Sequence, residues 1–357
     1  MRDQNLSGNR KTLFLRACRS EPVDRVPVWI MRQAGRYLPE YRAVREKHAF
    51  LEICKTPELA VEVSLQPYRT LGVDAVIVFS DILIPAAAMG MELELTEAGP
   101  VLASPIGDAT QVNALREFDP EEETGFAAEA IRRICRAVGP EVPVIAFAAA
   151  PWTLACYMVE GHAKNGFPRA KQMLYQEPRL MRTLLEKIAR VTAGYLKAQI
   201  AAGATAVQLF DTWAGELGRR DYEDFALPTT QLLTAELNAG PAPVILYTKA
   251  SGHLMRSVAQ AGADVLSVDW RTDLAELRRQ LGPVALQGNV DPCVLLGPEA
   301  GIRRAAQEAI NKTGGVGHIL NLGHGILPST PVENARAFVH AGQAVSVSAR
   351  MSVGQGV

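Results

Sequence analysis

A single-domain (β/α)8 barrel of the TIM type, with enlarged loops at the C-terminal face of its strands, is the fold this sequence predicts. Short β-branched or apolar runs recur along the chain, each followed by turn residues and then by helical pattern. Three of these runs share one kind of lead-in: Leu71-Gly72-Val73-Asp74, Ala202-Gly203-Ala204-Thr205 and Ala261-Gly262-Ala263-Asp264. The open doubly wound alternative lacks its signatures, since no GxGxxG follows the first run and no GxxxxGK[ST] occurs.

The eight expected strands are Val26–Ile30, Ala75–Phe79, Val142–Phe147, Ala206–Phe210, Val244–Tyr247, Val265–Val268, Val284–Gln287 and Ile319–Leu322. A glycine just before a buried strand suits the left-handed residue that ends the preceding helix. Between strands, 178–200 reads as a long amphipathic helix and 272–280 as a shorter, charged one. Insertions after the first three strands fit enlarged barrel loops, and no low-complexity linker divides the chain. One domain over residues 1–357 follows, with flexible ends at about 1–15 and 346–357.

Composition narrows the function classes. Of 357 residues, 48% are hydrophobic and 21% charged, as in a globular protein with a substantial core. The net charge of -1 supplies no global field for nucleic acid or an anionic membrane, so an anionic ligand needs locally placed cations. No secretory signal or spanning apolar run is apparent, and the expected location is cytoplasmic. Five scattered cysteines without CxxC spacing read as reduced thiols, and six histidines without HxH or HExxH spacing argue against a metal site.

Chemistry in such a barrel sits where the strands end. The first strand runs into Arg32-Gln33-Ala34-Gly35-Arg36, two arginines four positions apart. Guanidinium groups bind carboxylates in a two-pronged fashion, and helical geometry would place both on one face. The alternative is a surface pair with Glu40 or Glu46. Apolar neighbours (Trp29, Met31, Tyr37, Leu38, Tyr41) favour a site for a polyanion. The later strands deliver Asp81, Tyr157, Thr212, Lys249, Asp269, Asn289 and His324. Each has a plainer alternative: a helix cap for Asp81, packing for Tyr157, a turn cap for Thr212, an acid partner for Lys249 and a turn role for His324. Asp81 stands among isoleucines and leucines, where an uncompensated carboxylate is costly.

The block Pro27–Tyr41, together with Phe79-Ser80-Asp81-Ile82-Leu83, Ala150-Pro151-Trp152-Thr153-Leu154, Tyr157-Met158-Val159-Glu160-Gly161 and Asn321–Pro328, closely resembles the uroporphyrinogen decarboxylase family. The resemblance runs from about Arg16 to about Gly342. It implies a cofactor-independent carboxy-lyase, usually a homodimer, that converts the four acetate side chains of uroporphyrinogen III to methyls, giving coproporphyrinogen III. It also implies that Arg32, Gln33, Ala34, Gly35, Arg36, Asp81, Tyr157, Thr212 and His324 line the substrate cleft, with Asp81 and Arg36 as the catalytic pair. Ala146 and Ala149 stand where the family commonly has glycine, which is expected to narrow the backbone's approach to a ligand. Thr212 replaces a commoner serine, and Ser329 a frequent acid. A corrinoid-linked methyltransferase of the same barrel type would carry His-x-Cys after the fifth strand, where this chain has Tyr247-Thr248-Lys249-Ala250-Ser251.

Overall fold

A computed structural model describes residues 9–96, 99–163 and 166–347. The strands are β1 (Val76–Ile77), β2 (Leu93–Thr96), β3 (Gly99–Leu102), β4 (Val144–Ala149), β5 (Ala206–Asp211), β6 (Val244–Thr248), β7 (Val265–Val268), β8 (Ala285–Val290) and β9 (His318–Leu322). A 7-stranded parallel sheet follows the order β1-β4-β5-β6-β7-β8-β9. The first expected strand is the exception: 26–30 forms a single parallel bridge, Val28 to Leu320, in place of a regular ladder. It nonetheless lies between the two edges of the sheet. Leu320 N–H donates to Pro27 O (2.9 Å) and Trp29 N–H to Leu320 O (3.3 Å), while Asp74 N–H donates to Val28 O (2.8 Å). The ring is thereby closed.

The shared lead-ins explain how neighbouring strands are registered. Gly72, Gly203 and Gly262 all have positive φ (73°, 114° and 82°), which glycine adopts without a Cβ penalty. Two residues later, Asp74, Thr205 and Asp264 each bond one residue of the preceding strand twice. The backbone N–H of Asp74, Thr205 and Asp264 donates to the carbonyl of Val28, Val144 and Val244 respectively. Their side-chain oxygens accept the N–H of the same three valines, at 2.9, 3.3 and 2.7 Å. An acceptor in the side chain thus replaces a ladder carbonyl at the strand entrance.

Asp74 does more than its counterparts. It is fully buried and takes a two-pronged pair of bonds from Arg25 (2.7 Å each), with Arg10 Nε at 3.6 Å. Two further bonds fix the closing segment to β9 and to β8 beyond it: Met31 N–H donates to Asn321 Oδ1 (2.8 Å), and Trp29 Nε1 to Gln287 Oε1 (2.9 Å). Gln287 continues to Gln208 (3.1 Å) and Ser267 (2.9 Å), so a polar network crosses the barrel interior.

Apolar side chains divide into two clusters by strand parity. Ile77, Ile145, Ile245, Val265 and Ile319 face one another inside the ring, and Phe14, Ala17 and Cys18 of helix Arg10–Cys18 join them as a plug at the strand entrances. Alternate residues such as Val144, Leu209, Leu246 and Leu286 pack outward under the helices. Ala146 belongs to this outer layer, so its methyl is directed into the core, whereas Ala149 shares the parity of Ile145 and Phe147 and stands beside Phe210 at the end of β4. Proline opens many of the surrounding helices, at Pro39, Pro57, Pro120, Pro151, Pro168 and Pro178, where its missing N–H costs nothing.

Several expectations are corrected. Residues 10–15 are no loose end: they are helical, with Phe14 fully buried. At the other end Ser346 bridges Arg25 and Val347 N–H donates to Asp24 O; the remainder, 348–357, lies outside the described residues, as do 1–8. The antiparallel hairpin β2–β3 had no reading in the sequence. The helices expected at 178–200 and 272–280 run Pro178–Ala201 and Leu274–Leu281. All five cysteines are free, and no helix among the described residues is long and apolar enough to cross a membrane.

Removing one partner of a buried ion pair leaves the other charge uncompensated, at a cost of ~3–5 kcal/mol. Asp74→Ala is therefore expected to lower the unfolding free energy obtained from urea titration by that order, with a lower midpoint, whereas Glu62→Ala, which breaks an exposed pair with Arg69, leaves the midpoint nearly unchanged. Equal midpoints for the two variants would show that Asp74 does not hold the ring closed.

Candidate active site

The segment after the closing strand does not turn helical; helix Pro39–Arg45 begins only after a run of turns. Gln33 builds those turns. It is fully buried, accepts Ile30 N–H on Oε1 (3.2 Å) and donates from Nε2 to Ala75 O (3.0 Å), while its own carbonyl accepts the Tyr37 hydroxyl (2.6 Å). Ala34 and Gly35 are half-buried beside it. With Gln33 turned inward, Arg32 is forced outward at φ 61°, a conformation that ordinary residues avoid. Its side chain crosses the Gly325 backbone: a Cβ at 325 would stand 2.3 Å from Arg32 Cδ. A Cβ at Gly323 would stand 2.5 Å from Trp270 N. Both glycines flanking His324 are thus needed for close approach.

Arg32 and Arg36 are exposed, and neither forms an ion pair with an acid among the described residues. Glu40 accepts instead from Thr70 (3.4 Å), so the surface-pair alternative fails. Arg32 is the charge that reaches the interior of the site, acting on Asp81, Tyr157 and His324. Arg36 stands nearer the rim beside Tyr41, and its carbonyl accepts from Arg42.

Asp81 is half-buried. Its Oδ1 accepts Leu83 N–H (2.8 Å) in a turn ahead of helix Ile84–Ala88, whose N-cap is Leu83 with no side-chain cap bond, so Asp81 shapes the turn and does not cap the helix. Oδ2 takes no protein donor among the described residues. Burial holds the Asp81 carboxyl above its usual range, opposed by the Leu83 N–H and by Arg32. Tyr157, on helix Pro151–Glu160, is raised by burial and then by Asp81, and its phenol stays a neutral donor.

His324 Nδ1 accepts Gly325 N–H (2.6 Å), which leaves the ring proton on Nε2. Burial, followed by Arg32, Lys249 and Arg271, pushes its pKa down to about 3. It is a neutral imidazole with one outward N–H. Thr212 is half-buried, with no side-chain hydrogen bond among the described residues. The turn that carries it is tied down on both sides. The Thr153 hydroxyl donates to Asp211 Oδ1 (2.8 Å) and accepts Trp213 N–H (3.1 Å), and Trp152 Nε1 donates to Trp213 O (3.1 Å). Asp211 itself is fully buried, and burial pushes it up to about 7.

Sequence reasoning left the floor of the site unassigned. Phe147, Phe210, Tyr247 and His324 follow one another with ring centroids 5.6, 5.8 and 6.1 Å apart. Phe147 and Phe210 remain half-buried although they belong to central strands. Period-two counting from Ile145 and Ala206 would have placed both on the inner face. Trp213 adds a wall, 6.3 Å from Tyr157 and 4.9 Å from Phe167. An aromatic floor, a central carboxylate and unpaired arginines together suit a broad, flat ligand with carboxylates around its edge and N–H donors at its centre.

A sequence model described as uroporphyrinogen decarboxylase (URO-D) matches residues 9–345. A protein named uroporphyrinogen decarboxylase from Pelobacter propionicus is 51% identical over 339 residues, covering 94% of this chain and 99% of its own. One of the same name from Gloeobacter violaceus is 50% identical over 345 residues, covering 95% and 99%. A methyltransferase from Methanosarcina mazei superposes with a TM-score of 0.81 over 93% of this chain and 98% of its own; at 24% identity it supports the fold alone. With the match spanning both the closing segment and the loop after β9, the chain belongs to the uroporphyrinogen decarboxylase family.

Proposed function

We propose that this chain removes carbon dioxide from the four acetate side chains of uroporphyrinogen III, giving coproporphyrinogen III, as a cytoplasmic homodimer that uses no cofactor. Asp81 carries the reading: a carboxylate held in an apolar mouth with one oxygen on Leu83 N–H and the other open. A porphyrinogen offers four inward pyrrole N–H donors, and an ionised carboxylate has about four acceptor sites.

Decarboxylation needs somewhere for an electron pair to go. A proton added to the ring carbon adjacent to the one that bears the acetate makes the pyrrole cationic and leaves the acetate-bearing carbon conjugated to it. The bond to the carboxylate then breaks, CO2 leaves, and the pair enters the ring as an exocyclic double bond. A proton on the methylene carbon and loss of the ring proton complete the methyl, so each turn consumes one proton and releases one CO2. The substrate supplies its own electron sink. Asp81 stabilises the cationic ring: at about 4 Å and an effective dielectric near 20, the attraction is roughly 4 kcal/mol, or about a thousandfold in rate.

Arg32 and Arg36 bind carboxylates, with Arg36 or water relayed along it as a proton route. Gln33 sets the turn that aims Arg32, with Ala34 and Gly35 forming the surface beside it. His324 Nε2–H, the Tyr157 hydroxyl and the Thr212 hydroxyl orient the carboxylates that remain. The aromatic floor carries the macrocycle. A corrinoid-type methyl transfer fits less well, because Thr248, Lys249 and Ala250 occupy the strand end where that branch keeps thiol and imidazole.

Anaerobic incubation with uroporphyrinogen III, followed by oxidation and chromatography, is expected to show seven-, six-, five- and four-carboxyl porphyrins in succession. Unchanged eight-carboxyl material would refute the reading. The pH profile follows from the same geometry. Because burial raises Asp81, kcat/KM should fall on the acid side through a value above the ordinary carboxylate range. No inflection is expected near 6.5 from His324, which is already neutral well below that pH. An acid limb centred at 6.5 that vanishes in His324→Asn would overturn the assignment.

A further inference from the structure

We infer that Lys249 is a further anchor for a substrate carboxylate, held ready by the face of Trp213. The inference rests on the decarboxylase reading above and adds a residue and a role to it.

Lys249 is the first residue beyond β6, at the end where the site opens. It is in phase with Ile245 and Tyr247, whose side chains face the barrel interior, so it continues the inner face upward into the mouth. Its Nζ lies 5.2 Å from the centroid of the Trp213 ring. That ring is fixed by Phe167 and by the backbone bonds at both ends of Trp213 described above. The ammonium is therefore positioned by a rigid support.

Its partnering distinguishes it from the neighbouring cation. Arg271, beyond the adjacent β7, lies 2.6 Å from Asp269 Oδ2 and stacks on Trp270. Lys249 is half-buried and forms no ion pair with an acid among the described residues. A partly desolvated ammonium without an anion is unfavourable until a ligand supplies one. Lys249 and Arg32 both act on His324, so the carboxylate it would hold lies on the His324 side of the macrocycle. The edge of a porphyrinogen offers acetates, which are lost, and propionates, which are kept.

The test is steady-state kinetics of Lys249→Met and Lys249→Arg with uroporphyrinogen III and, separately, with the five-carboxyl intermediate. Loss of one charged contact is expected to raise KM about tenfold with kcat within about twofold of wild type, and Lys249→Arg to recover most of the loss. An increase shared by both substrates identifies a propionate; one confined to uroporphyrinogen III identifies an acetate. Either result supports the anchor. A wild-type KM in Lys249→Met would overturn it while leaving the decarboxylase reading intact, as would a collapse of kcat at unchanged KM. A wild-type protein inert toward uroporphyrinogen III would overturn both.

Discussion

Closure of the barrel by a segment too irregular to be a strand is the constraint on which the rest of the structure depends. Residues 26–31 make one bridge to β9 and one backbone bond to Asp74, which is little for a parallel edge. Side chains supply the remainder. The Asp74 carboxylate joins Arg25 to Val28, the Trp29 indole reaches Gln287, and Asn321 takes Met31 N–H. A regular ladder would continue the extended backbone; here the chain is released after Met31 and can turn abruptly. Gln33 then folds inward and Arg32 outward over Gly325. The ring is completed and the substrate mouth is built by the same few residues.

The electrostatics of that mouth follow from what is left unpaired. Arg32, Arg36 and Lys249 have no acid partner among the described residues, whereas Arg271 does. An anionic ligand relieves their mutual repulsion. Beside Arg32 stands Asp81, whose burial favours its neutral form in the absence of ligand. Pyrrole N–H donors and a cationic ring both favour the ionised form. Substrate and carboxylate thus stabilise each other's charged states, and the attraction is largest when the ring carries its positive charge. His324 stays neutral beside the arginines and adds a donor without adding charge.

Much of this was legible beforehand, for identifiable reasons. A buried parallel strand reads as an apolar run, so β4 to β9 could be placed within three residues. The Gly72, Gly203 and Gly262 lead-ins were visible because a left-handed turn favours glycine, but the second half of the motif was not. That Asp74, Thr205 and Asp264 replace a strand carbonyl is a three-dimensional pairing with no local signature. In the hairpin β2–β3 the first strand does alternate, as Leu93-Glu94-Leu95-Thr96, but it is short and its partner Gly99-Pro100-Val101-Leu102 does not. At the site, Arg32, Asp81, Tyr157 and His324 were recognisable as polar residues at strand ends. Phe147 and Phe210 were passed over because an aromatic residue in a strand reads as core, and only parity separates floor from filling.

The most direct measurement is the single-turnover rate of Asp81→Asn with saturating uroporphyrinogen III under anaerobic conditions. Asparagine keeps an oxygen for Leu83 N–H and changes little but the charge. If the carboxylate stabilises the cationic ring, the first CO2 should leave about a thousandfold more slowly, with the protein still folded and substrate still bound. An Asp81→Asn protein that kept most of the wild-type rate would contradict the account.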